Sequence, residues 1–156
     1  MRNRARLFAV PTIALLSPGA VALAAGPATA DDLDEWTPVD NAEYLVRTPD
    51  HDATVFFRTP DGRNCAIYLD GLSGCDAVPI DAPAGTNQVR VSGTEPAHYV
   101  ASETPTFTYS GEAKVLPEGH KVALEYTTCG VGFQGTVTCE ILEHGFTIAA
   151  TYGVLH

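Results

Sequence analysis

Cys65-Ala-Ile-Tyr-Leu-Asp-Gly71-Leu-Ser-Gly-Cys75 and Cys129-Gly-Val-Gly-Phe-Gln-Gly135-Thr-Val-Thr-Cys139 share one internal grammar: nine residues separate the cysteines, and a glycine falls six positions after the first. A three-residue hairpin loop, a type I turn followed by a left-handed residue, wants glycine at its third position. Gly71 after Leu69-Asp70 and Gly135 after Phe133-Gln134 meet that requirement. Counting outward from either loop sets Cys65 opposite Cys75 and Cys129 opposite Cys139. Opposed strand residues have Cβ atoms about 4.5 to 5.5 Å apart, within reach of a disulfide. Four cysteines allow three pairings, and the local one is preferred because it follows from the hairpin register.

The rest of the chain reads as short strands between turn signals. Arg47-Thr-Pro-Asp50 and Arg58-Thr-Pro-Asp61 place the same turn chemistry on either side of a strand over 53–58. A short strand is expected at 43–47, hairpin arms at 64–69 and 72–76, a loop over 77–87, and period-two strands at 88–92 and 106–110. An irregular stretch separates those two. Residues 113–116 read as a short strand or as the approach to a turn at 117–119. From 120 to 128 the alternation of Val122, Leu124 and Tyr126 leads directly into the second hairpin. There Cys129, Val131, Phe133, Val137 and Cys139 share the packing face. A last hairpin is expected to turn through Glu143-His144-Gly145. No apolar stripe of helical period is found beyond residue 30, so helix should be scarce. The expected fold is all-β: an antiparallel sandwich or small barrel of seven to nine short strands with two local disulfide hairpins.

Residues 1–30 read as a cleaved signal peptide. Arg2, Arg4 and Arg6 make a basic start, Leu7 to Ala25 is apolar but broken by Pro11 and Pro18, and Ala28-Thr29-Ala30 supplies the small-residue cleavage pattern. An earlier cut after Ala24 fits the same rule. An acidic arm over 31–50 and a single β domain over 51–156 follow. The expected product is secreted, without an integral membrane anchor after cleavage, and an exported chain with an even number of cysteines implies disulfides. Beyond residue 30 there are nineteen Asp and Glu against six basic residues, Arg47, Arg58, Arg63, Arg90, Lys114 and Lys121, a formal net charge of −13. Such a body is repelled by phosphate backbones and anionic headgroups, which argues against nucleic acid as a partner.

Chemistry-bearing motifs are sparse. Paired cysteines are not free nucleophiles. No G-x-S-x-G is present, and Ser73 lies inside the first hairpin. The five histidines, His51, His98, His120, His144 and His156, show no H-x-x-x-H or H-x-H spacing, so neither a metal nor another cofactor is expected. Asp50-His51-Asp52 does not have the oxygen spacing of a calcium loop, and Asp31, Asp32, Asp34 and Glu35 offer at most loose calcium binding, with an acidic, solvated terminus as the default reading. No catalytic residue is assigned. Tyr68 and the surroundings of His144 remain as candidate binding positions, since turns on a β scaffold often carry recognition.

Phe57-Arg-Thr-Pro-Asp-Gly-Arg-Asn64-Cys65-Ala-Ile67, then Gly74-Cys75-Asp76, Gly111-Glu-Ala113, Leu116-Pro-Glu-Gly119, Thr128-Cys129, Val137-Thr-Cys139 and His144-Gly145-Phe146, resembles in order a family of small secreted actinobacterial domains. That resemblance spans about 100 residues, from Phe56 to Leu155. It implies a secreted, disulfide-bearing β-domain of unknown function, and supplies no catalytic residues. The reading that follows is a non-enzymatic extracellular domain that binds a protein or a cell-wall component. The alternative is a small secreted inhibitor, of a protease for example, presenting the loop 77–87. A small hydrolase comes third and would need His144 or His120 to meet a carboxylate in a pocket.

Overall fold

Both cysteine hairpins close in the register that their glycines set. The structure, a computed structural model, describes residues 33–49 and 51–156, with the backbone alone at His51. The leader read over 1–30, the first two residues of the acidic arm and Asp50 lie outside the described residues. One sheet is formed by β2 (Leu45–Thr48), β3 (His51–Arg58), β4 (Asn64–Ile67), β5 (Ser73–Cys75), β6 (Gln88–Val91), β7 (His98–Val100) and β8 (Lys114–Val115). The other is formed by β1 (Thr37–Pro38), β9 (His120–Leu124), β10 (Thr127–Val131), β11 (Val137–Ile141), β12 (His144–Ile148) and β13 (Gly153–Leu155). The chain is all-β and sandwich-like, and the helical pieces among the described residues are short 3-10 turns. Of these thirteen strands, eight have four or more residues; the other five are pairings of two or three.

Each sheet is a sequential antiparallel meander, β2 through β7 in one and β9 through β13 in the other. Two short parallel pairings, β1 on β9 and β8 on β3, extend them. Cys65 pairs with Cys75 and Cys129 with Cys139, with Cα atoms 4.1 Å apart in each bridge. The loops between them are Leu69-Asp70-Gly71 and Phe133-Gln134-Gly135, with Gly71 and Gly135 at φ 87° and 73°. Gln134 is also left-handed, at φ 60°, so the second loop reaches the same register with a different turn. Each bridge closes a short loop, worth roughly 2 to 3 kcal/mol by the chain-entropy argument.

All four sulfurs point into one core. Val55, Phe57, Cys65, Ile67, Cys75, Val89 and Val91 of the first sheet pack with Val122, Cys129, Val131, Val137, Cys139, Ile141, Phe146 and Ile148 of the second. Phe133, expected on this face, belongs to the loop and is exposed.

A second apolar cluster lies on the outer face of the first sheet, where Phe56 and Ala66 meet Phe107. This explains the unbroken Val55-Phe56-Phe57, since a strand buried on both faces has no polar side to show. The expected strand at 106–110 is instead a strap across this face. Its alternation is real, but a carboxylate takes the place of a neighbouring strand. Asp76 accepts the backbone N–H groups of Thr106 and Phe107, at 3.0 and 2.9 Å, and the Thr108 hydroxyl at 2.6 Å. Phe56 stacks on Tyr109 with centroids 5.1 Å apart, and Arg90 lies 5.8 Å above the Phe107 ring.

Other boundaries moved as well. The run 120–128 is split by a two-residue turn, Glu125-Tyr126, into β9 and β10. The last predicted turn is Leu142-Glu143, so His144 already begins β12. β7 forms inside the stretch read as irregular. The acidic arm is folded in over its described residues. Leu33 is buried, Thr37-Pro38 pair with β9, and Lys121 Nζ donates to the Leu33 carbonyl at 2.6 Å.

The arm docks because Gly130 leaves room for it. A Cβ at that position would stand 2.2 Å from Trp36 Cε3 and 2.9 Å from Leu33 Cδ2. Gly74 does the same for the strap, since a Cβ there would lie 2.5 Å from Phe107 Cζ. A ring covering a strand glycine restores the cross-strand contact that the glycine lacks. Gly130→Val should therefore expel the indole. The emission maximum of the single tryptophan is expected to move to longer wavelength, with stability reduced by about 1 to 3 kcal/mol in urea titration. An unshifted maximum would show that the ring does not sit on Gly130.

Candidate functional site

Because both sheets are meanders, alternate turns gather at the same end of the sandwich. At one end four of them, two from each sheet, enclose a cleft of about 480 Å³. The first sheet contributes Leu69-Asp70-Gly71 between β4 and β5, and Ser92-Gly93-Thr94 after β6. The second contributes Glu125-Tyr126 between β9 and β10, and Ile141-Leu142 at the β11–β12 turn. Ile141 forms the floor. Its Cδ1 would lie 2.9 Å from a Cβ on Gly71, so that glycine lets the β4–β5 loop close onto it, while Gly93 sits at ordinary contact distance.

Above that floor the turns display large apolar side chains. Leu69 is 43% exposed, Tyr126 78% and Leu142 72%. Two of the turns are also strained: Glu125 has φ 52° and Leu142 φ 54°, a region in which a side chain costs about 1 to 2 kcal/mol. Tight hairpin turns usually fill such positions with Gly, Asn or Asp. Here they hold a glutamate and a leucine.

The charged groups around the cleft are acidic. Asp70 and Glu125 line it, Glu143 completes the β11–β12 turn, and no Lys or Arg is among the lining residues. Asp70 accepts the Leu72 N–H at 3.1 Å, an Asx turn that fixes the loop. Just beneath, two buried hydroxyls have no hydrogen-bond partner, Ser73 Oγ and Thr127 Oγ1. Thr127 shares the inward face with Cys129 and stands opposite Ile141. Ser73 shares the inward face with Cys75 and stands opposite Val91. An unpaired buried hydroxyl costs roughly 1 to 3 kcal/mol.

Tyr68 and His144 lie beside this cleft without lining it, and His120 lies at the other end of β9, paired with Val131. Tyr68 precedes Leu69, but its ring packs on the outer face, 6.1 Å from Phe56, and its hydroxyl donates to the Thr106 carbonyl. Burial first, then the charges of Asp76 and Asp70, raise its phenol above the ordinary range, with Arg90 opposing. His144 is half-buried and pairs with Ile141. His120 turns Nδ1 to the Glu118 carbonyl at 2.9 Å and is likewise outside the lining. Among the described residues, no group of three or more His, Cys, Asp or Glu is arranged to hold a metal. The Cys65, Cys75, Cys129 and Cys139 thiols are all in disulfides.

If Leu142 is held in the left-handed region for the sake of its exposed side chain, removing that side chain should not harm the fold. Leu142→Gly relieves the strain and adds chain freedom, terms that nearly cancel, so stability should stay within about 0.5 kcal/mol of the parent or rise. Thermal unfolding tests this, and a loss above about 1.5 kcal/mol would make the side chain a packing element. Compared with protein-family models, curated proteins and solved structures, the chain finds no match.

Proposed function

We propose that this chain is a secreted, non-enzymatic domain that binds an extracellular protein or cell-wall component with the end of the sandwich bearing Leu69, Tyr126 and Leu142. The observation that carries this reading is the placement of those three side chains. They stand exposed together around a concave floor, at turn tips where solubility favours polar residues. Burying such a side chain contributes about 1.5 to 3 kcal/mol, enough for three to anchor a partner. Two disulfides fit an extracellular protein, and among the described residues no helix is long and apolar enough to cross a membrane. The basic, apolar leader and the resemblance to small secreted actinobacterial domains support the same location.

A photo-crosslinking residue at position 126 tests the reading against the same residue at Phe133, which is exposed in the β10–β11 loop. With culture medium and isolated cell wall, adducts are expected from position 126 only, and Leu142→Ser should reduce them at least about fivefold. Equal labelling from both positions, or none from 126, would overturn it.

One observation favours a second reading, an inhibitor presenting residues 77–87. Ile80 is 84% exposed while its own N–H is fixed to the Ala150 carbonyl at 3.0 Å. The loop's far end is tied by reciprocal bonds between the Asn87 side chain and Ser102, at 2.8 and 2.9 Å. A rigid loop with one exposed apolar residue suits insertion into a specificity pocket. On this reading a protease of apolar preference should lose activity stoichiometrically with added protein, and Ile80→Asp should restore it. A panel left fully active by excess protein would remove the inhibitor reading.

A further inference from the structure

Resting on the reading of the end cleft as the binding site, we infer that its ligand is a polypeptide segment in which a lysine or arginine adjoins an apolar side chain. Beside the hydroxyls of Ser92 and Thr94, the lining is apolar and acidic and holds no basic group. Leu69, Tyr126 and Leu142 over Ile141 offer apolar area. Asp70 and Glu125 bring a carboxylate from each sheet. Neither forms an ion pair among the described residues, and no cation stands in the lining. An apolar side chain entering this cleft therefore brings its neighbour toward the carboxylates of Asp70 and Glu125 and the exposed Tyr126 ring. A cation there gains from both, through charge pairing and through the face of Tyr126. An anion is repelled.

Polypeptide answers both features at once, carrying apolar and cationic side chains on one chain. Glycan chains of a cell wall supply few apolar groups of this size. The formal net charge of −10 for the whole chain steers cationic partners toward it from a distance.

Titration of isotope-labelled protein with three capped hexapeptides tests this by amide chemical shifts: alternating Leu and Arg, alternating Leu and Glu, and alternating Ser and Arg. The Leu/Arg peptide is expected to move the amides of Gly71, Gly93 and Tyr126, with binding weakened about tenfold or more in the Ser/Arg peptide and absent in the Leu/Glu peptide. Glu125→Gln should weaken the Leu/Arg peptide about 2- to 5-fold and the double variant with Asp70→Asn about tenfold, with unfolding temperatures unchanged. Equal binding of Leu/Glu and Leu/Arg would sink the charge inference while leaving the cleft a binding site. Shifts spread over the whole acidic surface, unaltered by Tyr126→Ala, would mean charge attraction alone and overturn it. No shift from any peptide at millimolar concentration would overturn it too, while crosslinking from position 126 judges the underlying reading separately.

Discussion

The inward direction of four sulfur atoms organises the whole sandwich. A strand alternates its faces with a period of two, so a hairpin whose bridged cysteines lie opposite one another has only one way to point each of its other residues. With Cys129–Cys139 turned to the core, Val131 and Val137 must follow, and Gly130 and Thr138 must face out. Cys65–Cys75 imposes the same choice on Ile67 and on Ala66 with Gly74. A one-residue slip in either hairpin would break a covalent bond as well as expose the core face. The two meanders then grow outward from clamped central pairs, and their turns fall at fixed ends of the molecule.

The outward-facing glycines are a consequence of that choice with a use of their own. Gly130 receives Trp36 and Gly74 receives Phe107, so each disulfide hairpin is packed by sulfur on one side and by a ring on the other. The rings come from segments outside the central meanders, one before β1 and one between β7 and β8. Asp76, adjacent to Cys75, anchors the second segment by accepting from Thr106, Phe107, Thr108 and Gln88. A carboxylate accepting four hydrogen bonds has little lone-pair capacity left over, which makes it an effective tie for a stretch of chain without a sheet partner.

The parts of this fold legible in the sequence are those in which a residue of unusual conformational freedom marks its own position. Gly71 and Gly135, at a fixed offset from their cysteines, reveal register and pairing together. Thr59-Pro60-Asp61-Gly62 announces the β3–β4 turn in the same way, and there Thr59 and Arg63 hydrogen-bond Asp61 strongly enough to outweigh burial and hold its carboxyl below the ordinary range. Illegible were the pairings that depend on distant partners. Thr106 to Ser110 alternates as a strand does, and only the position of Asp76 decides that it is not one. Trp36 gave no sign of docking, because the space it fills is the absence of a side chain nearly a hundred residues later.

The candidate site was hidden for a related reason. Residues 120–128 carry no Gly, Pro, Asn or Asp to mark a turn, so Glu125-Tyr126 reads as part of one continuous strand. Leu142 hides the next turn in the same manner, and the eye is drawn instead to His144 and Gly145 beside it. That concealment is physically informative. A turn without turn residues is one in which the surroundings, here two ladders clamped by Cys129–Cys139, overrule local preference and carry the strain. Rigid ladders leave the tip side chains of Tyr126 and Leu142 little backbone freedom to lose when they meet a partner. A flexible glycine turn would relieve the strain and forfeit both the apolar tip and its preorganisation. The same covalent clamps that make the core legible thus allow the least legible residues of the chain to stand where a ligand would meet them.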